Sequence, residues 1–276
     1  MPMAHRVVDA GVHRVPAPFR SFAVRSDEPQ HAFDARAPYG TVHVVGAVID
    51  DDAVRAALAA LGRRCTSLDA VGDVVHAQTN FDALTAAAPG AADLAGRLVD
   101  ALQRTQLPGL DRESGRRHLA TRIDFLATWG AGFHNDVDRH YPCCLFWLLA
   151  LEVADVEFVM PHAGVRIPLA GGDLLVFDPT MAHGLCRPRD GGRAVAESFE
   201  TGVGDRQLFL TGELPLSDAQ WAALGVPWLP VEVHDERAAL DLRVAEFDDC
   251  SGAIKGLRAL RDGMKRSTCH ADPLPG

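Results

Sequence analysis

The residues best suited to chemistry are two histidines and one aspartate, His134, Asp136 and His183. His134 and Asp136 form an H-x-D pair, and residues i and i+2 of a β-strand point to the same side, so both could bind one metal ion. His183 follows 47 positions after Asp136 and would supply a third ligand. Two imidazoles and one carboxylate occupy one face of an octahedron and leave three positions open, which suits Fe(II) sites that react with O2.

The H-x-D tripeptide is weak evidence by itself. The chain has 12 histidines and 37 acidic residues, so about one or two H-x-[DE] matches are expected by chance. Two others occur, at 234–236 and 270–272, but neither begins a series of strands that leads to a partner histidine. His140 offers an alternative third ligand in the pattern H-x-D-x3-H, although residues 137–142 read as a loop. The context therefore favours the first set of ligands.

A basic residue follows the distal histidine at a distance that suits an anion-binding role. Arg193 lies ten positions after His183 and begins the strand-like stretch 193–201. Its guanidinium is a planar fork that matches a carboxylate, so it could anchor the far end of a dicarboxylic acid. Arg187 and Arg189 compete for this role, but Arg187 is close to His183 in sequence.

Short strands must position these residues. Turn sequences rich in glycine, proline and aspartate, such as Gly171-Gly172-Asp173, separate apolar or alternating stretches after position 118. About eight such strands with no helix between them predict a mainly β fold, either a jelly roll or a barrel, instead of a parallel α/β sheet. The predicted strands cover 119–128, 143–152, 156–160, 164–169, 173–177, 183–187, 193–201 and 207–211.

Helices are predicted on both sides of this β region. After a β-branched strand at 41–49, the aspartates at 50–52 offer an N-cap for a helix that runs to about Leu61 and ends at Gly62. A second helix is predicted over 91–106, where alanine and leucine are frequent. Two further helices are predicted at the end of the chain, over 217–224 and 250–266.

This layout predicts one catalytic domain with flanking helices. The N-terminal α/β part, the β core, the helical cover and a tail are expected at 1–117, 118–215, 216–268 and 269–276, with the catalytic domain spanning 1–268. At 276 residues the chain is long enough to bury a full hydrophobic core.

Composition excludes several classes of partner and location. The formal net charge of −10 argues against nucleic acid and against anionic membranes, because phosphate groups are bound by basic surfaces. Residues 1–15 lack the apolar core of a signal peptide, and the longest apolar run, 143–151, is about half of a membrane span. Six cysteines without a C-x-x-C pair indicate neither a disulfide framework nor a zinc finger. We therefore expect a cytoplasmic protein that acts on a small molecule.

The stretch 121–201 resembles the double-stranded β-helix core (a cupin-like jelly roll) of the Fe(II)/2-oxoglutarate-dependent dioxygenase superfamily. The shared features are H-x-D at 134–136, the distal His183 after the strand motif at 172–179, and a basic residue at 193. The resemblance implies that His134, Asp136 and His183 hold Fe(II). It also implies that 2-oxoglutarate binds the iron through its C1 carboxylate and keto oxygen, with its C5 carboxylate on Arg193. The retained Asp136 disfavours the halogenating branch, and the Arg-x-Ser pair of some families is missing at Arg193.

The resemblance also implies an activity. With O2 and 2-oxoglutarate, which is decarboxylated to succinate, such an enzyme would hydroxylate an unactivated C–H bond. The interval between Asp136 and His183 is similar to that of bacterial free-amino-acid hydroxylases, which implies a small polar metabolite such as an amino acid. Substrate-facing candidates on the first core strand are Arg122, Asp124 and Thr128, which share one face by alternation; that face could equally contact water.

Two alternatives remain open. One is a hydroxylase of peptide or protein side chains, which would need an extended groove. The other is a cupin-like metal-binding protein without turnover of 2-oxoglutarate, although cupins usually supply more histidines and a glutamate than this β region contains.

Overall fold

Antiparallel strands dominate the part of the chain that the structure describes, so the mainly β prediction is confirmed. No helix among the described residues is long and apolar enough to span a membrane. The computed structural model describes residues 13–14, 22–23, 41–45, 48–67, 74–104, 123–134, 136, 144–161, 165–177, 179, 182–186, 206–215, 243–248 and 254–259.

The described helices lie in the N-terminal part of the chain, and a side chain caps the start of two of them. The Asp51 carboxylate accepts hydrogen bonds from the amides of Ala53 and Val54 at 2.8 and 3.3 Å. Asn80 accepts one from the amide of Ala83 at 2.8 Å. These bonds satisfy amides that have no partner within the helix. The helices are α1 (Asp52–Cys65), α2 (Phe81–Ala87) and α3 (Leu94–Arg104), with a 3-10 turn at Pro89–Ala91 between α2 and α3.

Gly62 lies inside α1, and the prediction that the helix ends there was wrong. A Cβ atom at Gly62 would lie 2.7 Å from the Phe125 ring and 2.9 Å from Leu208. The glycine therefore lets the helix approach the sheet closely and does not cap it. The helix ends at Thr66, whose amide and hydroxyl both donate to the Gly62 carbonyl, at 2.9 and 2.8 Å.

Two sheets form the centre of the molecule, and their strands pair antiparallel. The large sheet, in spatial order, consists of β1 (His13–Arg14), β3 (Thr41–Val45), β10 (Leu174–Phe177), β7 (Cys144–Glu152), β12 (Gln207–Pro215), β5 (Ile123–Thr128) and β4 (Val74–Thr79). The small sheet consists of β6 (Ala131–His134), β11 (His183–Cys186), β8 (Glu157–Met160) and β9 (Val165–Pro168).

The order of these strands confirms the predicted jelly roll. From β5 to β12, each strand belongs to the other sheet than the strand before it. The exception is β9, which pairs with β8 in the small sheet. This alternation gives a double-stranded β-helix in which the two sheets face each other.

The last predicted strand, β12, lies inside the large sheet and is longer than predicted. It was expected at 207–211 and extends to Pro215, paired with β5 on one side and β7 on the other. The strand predicted at 193–201 lies outside the described residues. β4 was not predicted, although Val74–Thr79 pairs in full register with β5.

A third sheet corrects the prediction of a helix at 250–266. It consists of β14 (Ile254–Ala259), β13 (Arg243–Phe247) and β2 (Phe22–Ala23). Gly256 weakens a helix by about 1 kcal/mol relative to alanine, whereas β13 offers a partner to each residue of β14 except Lys255, where the register shifts. The helix predicted at 217–224 lies outside the described residues, so the only described elements of the expected helical cover are strands.

The two faces of the large sheet bury two separate apolar clusters. The outer core joins the sheet to the helices and is formed mainly by Leu58, Leu84, Leu94, Leu98, Ile123, Phe125, Trp147, Leu149, Val176, Leu208 and Leu210. The inner core fills the space between the two sheets and is formed by Leu126, Leu148, Ala150, Val156, Phe158, Met160, Ile167, Leu175, Phe177, Leu185 and Phe209.

Candidate metal centre

Pairing of β6 with β11 brings the predicted ligands together. His134 ends β6, His183 begins β11, and the two residues are direct partners in the ladder. Gly184 makes this close approach possible, because a Cβ atom there would lie 2.9 Å from the carbonyl oxygen of Ala131. Two histidines 49 positions apart in the sequence thus lie at the same end of the small sheet.

The Asp136 carboxylate lies beside both imidazoles, whose ring centroids are 4.5 Å apart. Its Oδ1 is 4.0 Å from Nε2 of His134, and its Oδ2 is 3.6 Å from Nε2 of His183. One ligand atom from each of these three residues lies within 4.8 Å of the others. Two imidazole nitrogens and one carboxylate oxygen in such a group are a suitable donor set for a divalent transition metal.

A backbone hydrogen bond defines the tautomer of His134. Its Nδ1 lies 2.6 Å from the carbonyl oxygen of Gly132. A carbonyl oxygen can only accept, so in the neutral imidazole Nδ1 carries the proton and Nε2 has the lone pair that a metal ion needs. Metal-binding histidines usually donate their other N–H to such a partner, which orients the ring.

Asp136 is also fixed through its main chain. Its amide donates to the carbonyl of Pro179 at 2.9 Å. Pro179 lies between β10 and β11, so this bond ties the residue after one ligand strand to the segment that precedes the other. The spacing of the ligands therefore depends on contacts in both segments.

Exposure of the three side chains differs strongly. The side chain of His183 is 7% exposed, that of Asp136 is 21% exposed, and that of His134 is 43% exposed. The centre is consequently closed on the side of His183 and accessible on the side of His134.

Two of the predicted substrate residues lie on the inner face of β5, where they alternate with the inner-core residue Leu126. Asp124 is buried and pairs in register with Thr211. Thr128 lies at the other end of β5, paired with Gln207. The Thr128 hydroxyl donates to the carbonyl of Gly130 and accepts from its amide at 3.0 Å, which favours a structural role in the turn.

The other predicted residues, Arg122 and Arg193, lie outside the described residues. The strands β5, β7, β10 and β12 contain no arginine or lysine. Arg206 directly precedes β12, but its guanidinium donates to the carbonyl of Thr66 at 2.8 Å, at the end of α1. Burial lowers the pKa of Arg206, an effect that Glu152 opposes and Arg63 adds to. Arg206 therefore belongs to the packing of α1 against the sheet.

Sequence reasoning missed two features of the space between the two sheets. Phe158 and Phe177 contact the ring of His183, and Glu213 pairs with Phe146, which pairs with Phe177. Continued alternation after residue 211, with Leu208, Leu210 and Leu214 in the outer core, was the signal that could have placed Glu213 on the inner face.

Comparisons with known proteins gave similar folds but no sequence match. No family model matches the chain, and no curated protein matches it. An oxidoreductase of the 2OG-Fe(II) oxygenase family from Burkholderia pseudomallei is 15% identical, with a TM-score of 0.41 over 63% of this chain and 83% of that one. A prolyl-4-hydroxylase from Pseudomonas putida is 16% identical, with a TM-score of 0.37 over 66% and 94% of the two chains. HygX from Streptomyces hygroscopicus, solved with nickel and 2-oxoglutarate, is 12% identical, with a TM-score of 0.37 over 63% and 82%.

Proposed function

We propose that this protein is a non-haem Fe(II)- and 2-oxoglutarate-dependent dioxygenase. Its reaction would hydroxylate an unactivated C–H bond of a small polar metabolite, such as an amino acid. The observation that carries the proposal is the group formed by His134, Asp136 and His183 at one end of the jelly roll.

The donor set fits Fe(II). Two imidazoles and one carboxylate on one side of the ion leave coordination positions for a chelating co-substrate and for O2. The proton on Nδ1 of His134 leaves its Nε2 ready to coordinate, and Asp136 presents one oxygen toward each histidine. When bound, the iron would supply the oxidising chemistry, with 2-oxoglutarate converted to succinate.

The chain itself would hold and orient the reactants. Arg193 is the proposed anchor for the C5 carboxylate of 2-oxoglutarate, because it follows His183 by ten positions, as the family resemblance implies, and its planar guanidinium matches a carboxylate. The inner core excludes water from the side of His183, whose side chain is 7% exposed. The substrate would therefore approach from the side of His134.

The inner face of the large sheet supports a substrate that carries an amine. Asp124 is buried there, Thr211 is its partner in register, and Glu213 follows two residues later on the same face. Carboxylates and hydroxyls at these positions can accept hydrogen bonds from an ammonium group. Arg122 remains the proposed partner for a substrate carboxylate.

Anaerobic titration of the Fe(II)-loaded protein with 2-oxoglutarate tests the proposal. We expect a visible charge-transfer absorption in the wild type, and its loss at the same co-substrate concentration in Arg193→Ala. Arg187→Ala and Arg189→Ala are matched controls, because they remove the competing arginines. Absence of the band in the wild type would exclude 2-oxoglutarate as co-substrate and favour the cupin-like metal-binding alternative. An unchanged band in Arg193→Ala would move the anchor to another residue.

A screen that follows succinate production would then identify the substrate class. Stimulation by free amino acids or other small amines would support the proposal. Stimulation by peptides alone would favour a hydroxylase of peptide or protein side chains.

A further inference from the structure

The two imidazoles of the centre are held in different ways. His134 is 43% exposed, and the carbonyl of Gly132 holds its ring through one hydrogen bond. His183 is 7% exposed, and its ring lies against the rings of Phe158 and Phe177. One ligand is thus oriented by the main chain, and the other is surrounded by aromatic side chains.

The aromatic contacts of His183 restrict the rotation of its ring. Its centroid lies 5.9 Å from that of Phe158, with 24° between the planes. Phe177 lies 4.7 Å from His183 at 58° and 4.7 Å from Phe158 at 50°. Both phenylalanines are buried, and both belong to the inner core. The χ2 angle of histidine is intrinsically broad, so two adjacent buried rings limit it far more than its own torsional preference does.

We propose that Phe158 and Phe177 are positioning residues that fix the plane of the His183 imidazole and aim its Nε2 at the metal. This inference rests on the metal centre of the proposed function. The geometry supports this role. Nε2 of His183 lies 3.6 Å from Oδ2 of Asp136, and the side chain of His183 is only 7% exposed. Loss of either phenyl ring widens the range of orientations open to the imidazole, and metal binding must then restore the lost order.

Phe209 provides a matched control. It is buried to the same extent as Phe158 and belongs to the same core. Among the ring contacts of the described residues, none joins Phe209 to His183. Replacement by leucine at positions 158, 177 and 209 removes one ring in each case and keeps an apolar side chain.

Titration of the protein with Co(II) tests the inference without turnover, because the d–d absorption bands report both the affinity and the ligand geometry. We expect Phe158→Leu and Phe177→Leu to weaken Co(II) binding by about 10- to 100-fold, the usual effect of losing a residue that orients a ligand, and to change the band shape. Phe209→Leu should keep the wild-type bands and affinity. Denaturant unfolding of each variant establishes the folded fraction at which binding is measured.

The outcomes separate the two proposals. Equal effects of all three leucine variants on Co(II) affinity, or unchanged affinity in Phe158→Leu and Phe177→Leu, would overturn the positioning role alone. A wild-type protein that gives no d–d bands would instead overturn the metal centre and with it the proposed function. Should one of the two variants fail to fold, the other provides the same test.

Discussion

The two faces of the large sheet share their strands but differ in chemistry. On the outer face of β5, Ile123 and Phe125 are completely buried among apolar residues of the helices. On the inner face of the same sheet, Asp124, Gln207 and Thr211 are buried as well. Burial of polar groups costs free energy unless they find partners, and here Gln207 bonds to the main chain of Ala154 while the Thr211 hydroxyl donates to the carbonyl of Asp124. The comparison predicts that stability and metal binding can be changed separately in this sheet.

The largest expected effect is on the outer face. Phe125→Ala should lower the free energy of unfolding by about 3–5 kcal/mol, because it removes a fully buried ring and leaves a cavity. Denaturant unfolding measures this loss. The Co(II) affinity of the folded fraction should be unchanged, and a parallel loss of affinity would show that the two faces are coupled.

A substitution at the candidate metal centre should lower metal affinity and leave the free energy of unfolding almost unchanged. Asp136→Ala should weaken Co(II) binding by more than about 100-fold, since loss of a ligand exceeds the loss of a residue that orients one. The unfolding free energy without metal should change little, because the Asp136 side chain is partly exposed. Asp82→Ala, an exposed carboxylate in the first turn of α2, is the control, and metal binding equal to the wild type in Asp136→Ala would contradict the assigned centre.

A smaller effect is expected where α1 meets the sheet. Gly62→Ala adds a methyl group 2.7 Å from the Phe125 ring, and such overpacking costs about 1–3 kcal/mol, partly offset by a gain of about 1 kcal/mol in helix propensity. We expect a net loss of stability in urea unfolding. Arg64→Ala, at an exposed position in the same turn, should be close to neutral; a stabilised Gly62→Ala would show that the helix can move away from the sheet.

An effect of similar size should come from the end of the inner face where Gln207 pairs with Thr128. The side-chain oxygen of Gln207 accepts a hydrogen bond from the main-chain N–H of Ala154 at 2.9 Å, and its Nε2 donates one to the carbonyl of the same residue at 3.2 Å. Gln207→Leu should therefore destabilise the protein by about 1–2 kcal/mol, the cost of two unmade hydrogen bonds. Metal affinity should not change, and any change would indicate that this turn influences the centre.

Most of the strand pattern could be predicted from sequence because it depends on local signals, and the structure brings the three predicted residues His134, Asp136 and His183 together. Turn residues separate β7, β8, β9 and β10 clearly. The H-x-D pair was predicted from the alternation of a strand, but β6 ends at His134 and Asp136 lies beyond it. The pairing of β6 with β11 was accessible only through the assumption of a jelly roll. The sequence could not predict which elements that are distant along the chain would pack against each other.

The failures have specific physical causes. Gly62 resembled a helix end, because nothing in the local sequence reveals that it packs against Phe125 of β5. The segment 254–259 looked helical, because nothing local reveals that β13 would pair with it. Phe158 belongs to β8 and lies 25 positions before His183, so no local pattern links the two. Phe177 lies only six positions before the histidine, but its contact with that ring depends on how β10 and β11 pack across the two sheets.

The pairing of β6 with β11 has a consequence for the order of folding. Four strands, β7 to β10, lie between these partners in the sequence and are distributed over both sheets. Contacts between distant segments carry a large loop-closure cost, so they tend to form late. A metal ion that needs both His134 and His183 then binds after the folding barrier. Its binding should slow unfolding without accelerating folding, and metal at about 100 times its dissociation constant should add about 2.7 kcal/mol to native stability.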